Sequence, residues 1–368
     1  MTPKILEIIE LPPVDISELV SPDATVVTRI CVIMREIKPA LRSAISILSF
    51  RPAAMIADLF GTEAMVVADE LEIPKYVYVP SNAWFLALQI YTPQLDKIVE
   101  GEYVDQKEPL KIPGCRPIRP EDLVDPMLDR TNQQYFENLR IGVQMPMCNG
   151  ILLNTWQDLQ PSALEALRDE ELLGRIVKVP VYPIGPLIRQ TKPLGTNSEL
   201  FIWLDKQPRE SVIYVSFGSG GTLSLEQMAE LAFGLELSQQ NFIWVVRPPT
   251  LKTGDGSFFN AGTGEDNGTL RYLPEEQRMN ATMLTEELGV AVRSKTLPSK
   301  GVVAREEIEM LIRRIMVDKE GTEIRTRAKE LKYGAENALV QGGSSMNALS
   351  TVAKECEISS KRQKMTAW

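Results

Sequence analysis

The stretch AAMIADLFGTEAMVVADELEIPKYVYVP (residues 53–80) decides the fold. Its first apolar run, 53–57, has the length of a buried strand, and 61–71 has the apolar spacing of a helix. Pro74 ends that helix, and 76–79 is a second short apolar strand. Strand, helix and strand within about 30 residues form a βαβ unit, which requires a parallel sheet. The sequence therefore predicts an α/β protein.

The rest of the chain carries further strands and helices on both sides of a polar stretch. The elements predicted before this stretch are a helix over 24–49 that Pro39 kinks, strands at 150–154 and 181–187, and a helix over 161–173. The elements predicted after it are strands at 211–216 and 242–246, a polar loop at 249–270, helices at 276–287, 304–317, 320–340 and 344–355, and a frayed tail at 357–368. The polar stretch itself, 189–198, is predicted to be a linker.

The chain is long enough for two domains. Its 368 residues exceed the usual size of one domain, about 100 to 200 residues. We expect an N-terminal domain over 1–188, a second domain over 189–345, and a C-terminal helix and tail over 346–368.

Composition excludes several classes of function. The net charge is −9, which argues against binding to nucleic acid or an anionic membrane. The first residues do not have the pattern of a signal peptide, and the sequence has no long apolar run, so we expect no membrane insertion. Four scattered cysteines without a CxxC pair favour a reducing, cytoplasmic location, and we expect a monomer. The chain has no histidine, which excludes serine–histidine triads and histidine-bearing zinc sites; we expect no metal and no cofactor.

The turn FGSGG (217–221) is a candidate phosphate site. It follows a predicted strand and precedes a helix, whose free N–H groups and positive dipole end suit an anion. Ser224 and Gln227 have the spacing of a capping box for that helix. The turn matches neither GxGxxG nor the Walker A pattern, so a tight structural turn explains it equally well.

Two acidic positions also have two interpretations. Asp58 ends a parallel strand, where ligands bind in open α/β sheets, but an aspartate there also caps a following helix. The residue types alone slightly favour the cap. Glu275–Glu276–Gln277 is either a ligand contact or the acidic first turn of a helix. From the residues alone, the first turn of a helix is the simpler interpretation.

Several long motifs in order resemble the plant family-1 glycosyltransferases. They are IADLFGTEA (56–64), PVYPIGPLIR (180–189), WLDKQPRESV (203–212), SVIYVSFGSGG (211–221) and NFIWVVRPP (241–249). The segments ELPPVDISELV (10–20) and EQRMNATMLTEELGVAVR (276–293) are most similar to the hydroquinone glucosyltransferase branch. The resemblance extends from about Glu10 to Glu355.

The resemblance implies the GT-B fold, with two Rossmann-like domains that are both incomplete here. The family transfers a sugar from a UDP-sugar, here UDP-glucose, to a small phenolic acceptor. A histidine near the N-terminus acts as the base and an aspartate orients it. Asp58 matches the orienting aspartate, but the first strand and the loop that carries the histidine are expected to be missing. Phe60 matches an aromatic residue beside the acceptor.

The resemblance also implies that most of the donor site is missing. After Tyr272–Leu273–Pro274 the family continues with a strand and the W-A-P-Q and H-C-G-W-N-S runs, whereas this chain passes directly to the end of that signature segment. The donor-binding positions that remain are the turn residues Gly218, Ser219 and Gly220 and the pair Glu276 and Gln277. Ser219 matches a serine that contacts the diphosphate, and the pair matches residues that bind sugar hydroxyls.

Three hypotheses follow for function. The first is a shortened product of a phenolic glucosyltransferase, inactive because the base and donor site are missing. The second is a non-catalytic relative that binds a small molecule or a partner. The third is an active transferase with Glu63 or Asp58 as a substitute base. The loss of parallel strands also predicts a second domain with few strands and a poorly filled core.

Overall fold

The computed structural model describes residues 7–188, 198–218, 223–246, 277–296 and 301–366. The chain forms two compact units. The first unit consists of Met1–Leu187 together with Tyr333–Trp368, and the second consists of Ile188–Lys332. The first unit therefore contains both ends of the chain.

A four-stranded parallel sheet forms the centre of the first unit. Its strands follow chain order: β1 (Met55–Asp58), β2 (Lys75–Val79), β3 (Gly150–Leu153) and β4 (Val181–Pro183). All three pairings are parallel, as the βαβ pattern predicts. The strands β2 and β3 are almost wholly buried because they lie inside the sheet and helices cover both faces, which is why they are nearly continuous apolar runs.

Seven helices accompany this sheet before the second unit begins. They are α1 (Val26–Glu36), α2 (Lys38–Ser46), α3 (Val66–Glu70), α4 (Ala83–Ile98), α5 (Gln133–Gln144), α6 (Pro161–Arg168) and α7 (Gly174–Val177), with short 3-10 segments at Leu59–Met65, Tyr103–Asp105, Pro120–Asp122, Asp125–Met127 and Met145–Met147. The helix predicted over 24–49 is two helices. Pro39 occupies the first turn of α2, where its missing N–H costs nothing, so the chain restarts a helix there instead of kinking one.

The second unit has a small sheet and a tightly packed pair of helices. Its elements are α8 (Glu199–Leu204), β5 (Val212–Val215), α9 (Leu225–Ser238), β6 (Asn241–Trp244), α10 (Gln277–Thr282), a π-helical turn (Met283–Glu287) and α11 (Arg305–Met316). In α11, Arg305 donates from its backbone N–H and its Nε to Glu230 of α9, at 2.7 and 3.1 Å, and its guanidinium lies 4.2 Å from the Phe233 ring centroid. The two helices are therefore held together by charge as well as apolar contact.

Few apolar side chains are buried in the described part of the second unit. The parallel strands β5 and β6 pair only with each other among the described residues. Tyr214 on β5 is 69% exposed, and Val246 just beyond β6 is 57% exposed. This agrees with the prediction of few strands and a poorly filled core for this part of the chain.

Two long helices, α12 (Lys319–Leu339) and α13 (Ser344–Thr366), complete the chain. The prediction of a helix over 344–355 followed by a frayed tail is wrong, because α13 continues to Thr366. Residues 356–366 contain neither proline nor glycine, so nothing in the sequence stops the helix. None of the helices in the described ranges combines the length and apolar character needed to cross a bilayer.

Candidate active site

The carboxyl edge of the first sheet places Asp58 and Phe60 on one turn. Asp58 ends β1 in an extended conformation, and its Oδ1 accepts a hydrogen bond from the Gly61 backbone N–H at 2.9 Å. Asp58 is exposed, whereas Phe60 is half-buried. The aspartate therefore caps the 3-10 segment Leu59–Met65, and its role toward a histidine stays a prediction.

Glu63, the candidate substitute base on the same 3-10 segment, is paired with two arginines. Its Oε1 lies 3.3 Å from Arg35 Nε and 3.5 Å from Arg140 Nη1. Burial opposes ionisation, but hydrogen bonding to Gln144 and the positive charge of Arg35 outweigh it and lower the pKa of Glu63. A carboxylate that is stabilised in its charged form is a weak proton acceptor.

The glycine-rich turn of the second unit is described up to Gly218. This residue follows β5 with φ +72°, and its N–H lies 3.4 Å from the Ser216 Oγ. Ser219 and Gly220 lie outside the described residues, as does Glu276. Gln277 is the first residue of α10. Whether the donor-binding positions come together therefore stays a prediction.

The predicted capping box at the start of α9 is only half formed. Ser224 Oγ accepts from the Gln227 backbone N–H at 3.1 Å, as expected. The Gln227 side chain, however, bonds the backbone of Val303: its Oε1 accepts from the N–H at 2.7 Å and its Nε2 donates to the carbonyl at 3.2 Å. Gln227 thus joins two segments of the second unit instead of closing its own cap.

The cleft on the first unit lies at the other edge of the sheet. It is open, has a volume of about 720 Å³, and is lined by residues that precede or begin β2 and β3, such as Pro74, Tyr76 and Asn149. Ligands of open α/β sheets bind at the carboxyl edge instead. Within the described part of the chain, no group of three acidic or cysteine side chains is arranged to hold a metal ion.

Sequence reasoning missed two clusters that the first unit brings together. One joins Arg35 to Glu63 and Glu137, and the other joins Tyr76 and Tyr182 to Glu355. The members of each cluster are far apart along the chain, so no local spacing of residues indicates that they meet. For Glu355, the available signal was a charged residue beside the apolar positions 348, 352 and 356 of a helix.

Comparison with known proteins decides the family. No model of a protein family matches the chain. Anthocyanidin 3-O-glucosyltransferase 5 of Manihot esculenta is 57% identical over 421 aligned positions, which cover 99% of this chain and 86% of that protein. UDP-glycosyltransferase 72D1 of Arabidopsis thaliana is 44% identical, over 96% of this chain and 86% of that protein. The chain belongs to the plant UDP-glycosyltransferases.

This plant UDP-glycosyltransferase is also similar to the hydroquinone glucosyltransferase of Rauvolfia serpentina, at 37% identity over 94% of this chain and 85% of that protein. That identity is below the 57% of the Manihot protein. The comparisons therefore establish the family, and the hydroquinone branch stays a proposal.

Solved structures confirm the GT-B fold of this plant UDP-glycosyltransferase. TcCGT1, solved in complex with UDP, is 43% identical with a TM-score of 0.83, over 94% of this chain and 86% of that one. A UDP-glucosyltransferase from Polygonum tinctorium capable of glucosylating indoxyl was solved with 3,4-dichloroaniline. It is 34% identical with a TM-score of 0.82, over 95% of this chain and 85% of that one. The two units of this chain are therefore Rossmann-like.

Proposed function

We propose that this chain derives from a UDP-glucose-dependent O-glucosyltransferase of small phenolic acceptors and transfers little or no sugar itself. The observation that carries the proposal is the absence of histidine from all 368 residues, in a family whose base is expected to be a histidine. UDP-glucose would be a co-substrate, and the proposal needs no cofactor. We also propose a cytoplasmic monomer.

The acceptor is proposed as a class. The similar proteins include an anthocyanidin 3-O-glucosyltransferase, a hydroquinone glucosyltransferase and a UDP-glucosyltransferase capable of glucosylating indoxyl. Anthocyanidin, hydroquinone and indoxyl are all small aromatic compounds. The hydroquinone branch is included in this class. Phe60, half-buried beside Asp58, would contact the aromatic acceptor.

The donor side is proposed to be shortened within the chain. The alignment to the Manihot protein runs over 421 positions although the chain has 368 residues, so that protein has internal residues that this chain lacks. We place the missing residues between Pro274 and Glu276, where the signature segment breaks off. The remaining donor contacts would be Gly218, Ser219 and Gly220 on the turn and the pair Glu276 and Gln277.

A substitute base does not rescue the chemistry in this proposal. General base catalysis is most effective when the pKa of the base lies near the working pH, and its loss costs about 10²- to 10⁴-fold in rate. The lowered pKa of Glu63 moves that carboxylate away from the useful range. Asp58 Oδ1 already accepts from Gly61.

The first test is an assay with UDP-glucose and hydroquinone, read by mass spectrometry, beside the full-length Manihot enzyme with its own acceptor. We expect no glucoside from this chain, and no saturable heat of UDP binding by calorimetry. Glucoside formation that disappears in Asp58→Ala or Glu63→Gln would overturn the proposed inactivity and establish a substitute base.

A second test asks whether the cell makes this exact chain. The length of an amplified transcript spanning codons 265 to 285 from source tissue decides it. A longer product means that the donor segment exists and that this chain is a shortened reading of an active enzyme. A product of the written length means that the deletion is real. The alternative of a non-catalytic binder then predicts saturable binding of a phenol without turnover.

A further inference from the structure

The C-terminal helix α13 packs on the sheet of the first unit through one apolar stripe. Its Ala348, Leu349, Val352 and Cys356 lie against a cluster that includes Leu152 of β3. Positions 348, 352 and 356 are four residues apart and therefore share one helix face. The start of the helix is fixed separately, because buried Ser345 donates from its Oγ to the Gly185 carbonyl at 2.6 Å.

One carboxylate interrupts this stripe and binds two strands. The Tyr76 hydroxyl on β2 donates to Glu355 Oε2 at 2.8 Å, and the Tyr182 hydroxyl on β4 donates to Glu355 Oε1 at 2.6 Å. Both carboxylate oxygens are thus used by phenols from different strands. We name this group, Tyr76, Tyr182 and Glu355, the Glu355 clamp. Hydrogen bonds to an ionised acceptor are the strong kind.

Gly150 on β3 allows the two rings to converge. It pairs directly with Tyr76 in the sheet register. A Cβ at position 150 would lie 2.8 Å from Tyr182 Cε2, closer than real side chains approach, and 3.2 Å from Tyr76 Cδ1, which is tighter than most contacts. The glycine therefore leaves the space through which phenols on β2 and β4, on either side of β3, reach one carboxylate.

The protons of the clamp stay on the tyrosines. Burial, followed by the hydrogen bond to Glu355 and its negative charge, raises the pKa of both Tyr76 and Tyr182. The two phenols therefore remain donors throughout the physiological range.

Beyond Glu355 the helix forms one wall of the open cleft. Ile358 and Ser359 line the cleft from α13, and Arg51, Glu72 and Asn149 line it from the rest of the first unit. We call residues 356–366 the strap. Within the strap, Cys356 packs on the apolar cluster but Ile358 is 50% exposed, so apolar burial holds the strap only weakly beyond Cys356.

We propose that the Glu355 clamp is the latch of this strap, so that breaking the clamp frees residues 356–366 and opens the cleft while α13 stays anchored at Ser345. While the hydrogen bonds of the clamp are formed, α13 lines one side of the cleft. When they are broken, the amino edge of β2 and β3 is exposed. The device is conformational and independent of sugar transfer.

Hydrogen exchange by mass spectrometry on the full chain tests the proposal. In Tyr76→Phe/Tyr182→Phe, which keeps both rings and removes both donors, amides of 356–366 should exchange about tenfold faster or more. Glu355→Gln, which can accept but has lost its charge, should give a smaller increase. Amides of β1 to β4 should keep their protection. Glu357→Gln, an exposed neighbour on the same helix, is the matched control and should change nothing.

Three outcomes overturn the latch. Unchanged exchange of 356–366 in the double phenylalanine variant would show that the clamp does not stabilise the strap. Equal loss of protection in strands β1 to β4 would make the clamp part of the general core. The same acceleration of exchange in Glu357→Gln would show that the effect comes from the loss of a negative charge on the helix and not from the clamp. Gly150→Ala, which pushes the rings apart, should accelerate exchange of 356–366 as much as the double phenylalanine variant does. If Gly150→Ala fails to fold, the double phenylalanine variant alone decides the test.

Discussion

Asp58 and Glu63 are five residues apart, yet their partners give them different chemistry. Asp58 bonds a backbone N–H of its own turn, which is a local interaction. Glu63 pairs with arginines from two separate helices, Arg35 on α1 and Arg140 on α5. The sequence could place Asp58 at a strand end and offer the cap as one interpretation. It could not show the pairing of Glu63, because only the packing of α1 and α5 against this segment creates it.

The ion pairs of Glu63 predict how stability depends on pH. A carboxylate whose pKa is lowered by folding stabilises the fold above its unfolded pKa, about 4.3, and loses that contribution as pH falls through its folded pKa. The melting temperature of the wild type should therefore exceed that of Glu63→Gln from pH 8 to about 5, and the difference should shrink below about pH 4. Differential scanning fluorimetry across this range measures it.

Glu108→Gln is the matched control for this experiment, because Glu108 is exposed in the same unit. Its difference from the wild type should stay near zero at every pH. A Glu63→Gln difference that grew on acidification would contradict the pairing.

At the scale of elements, a glycine determines how closely α9 and α11 pack. A Cβ added at Gly234 would lie 2.6 Å from Ile308 Cβ and 3.0 Å from the Arg305 carbonyl oxygen. Gly234→Ala should therefore push the helices apart and lower the free energy of unfolding by about 1–3 kcal/mol, despite the better helix propensity of alanine. Urea unfolding followed by circular dichroism measures the change.

Gly334→Ala gives the comparison with the opposite sign. Gly334 also lies inside a helix, α12, but a Cβ there meets only Trp156 Nε1 at 3.4 Å, an ordinary contact. This variant should raise stability by about 0.5–1 kcal/mol through helix propensity alone. If both variants were stabilising, close packing at Gly234 would be excluded.

Elements were predictable where local rules decide them. The parallel strands followed from short apolar runs with breakers between them, and Ser224 followed from its spacing to Gln227. The second half of the capping box was not predictable, because the Gln227 side chain forms hydrogen bonds with the backbone of Val303, 76 residues away. The end of α13 was not predictable from polarity, because a polar surface does not end a helix in the absence of proline and glycine.

The molecule as a whole divides its apolar burial unevenly. The first unit has a sheet buried by helices, whereas β5 and β6 of the second unit leave apolar side chains in water. The segments VIYV (212–215) and NFIWVV (241–246) contain no charge and no proline, which is typical of strands that pair with other copies. Resemblance to the family predicted this imbalance; composition alone, which is ordinary, did not.

A single charge on this sheet should improve solubility. Tyr214→Lys should lower the aggregated fraction several-fold, measured by light scattering at fixed concentration, because an exposed lysine opposes edge pairing. Val317→Lys, at a 60% exposed position beyond α11, is the control. Both substitutions bring the net charge of −9 nearer to zero, which by itself favours association. An equal benefit from Val317→Lys would rule out the sheet as the cause.

The Glu355 clamp has a consequence for the order of synthesis. The strands that carry Tyr76 and Tyr182 are translated long before the helix that carries Glu355, and the whole second unit is made in between. At roughly 5–20 residues per second, the ribosome needs on the order of ten seconds to travel from Leu187 to Ser344. During that interval the nascent first unit lacks the helix that packs on Leu152, and Tyr76 and Tyr182 lack the carboxylate to which they donate, so the clamp forms only after Glu355 has been made.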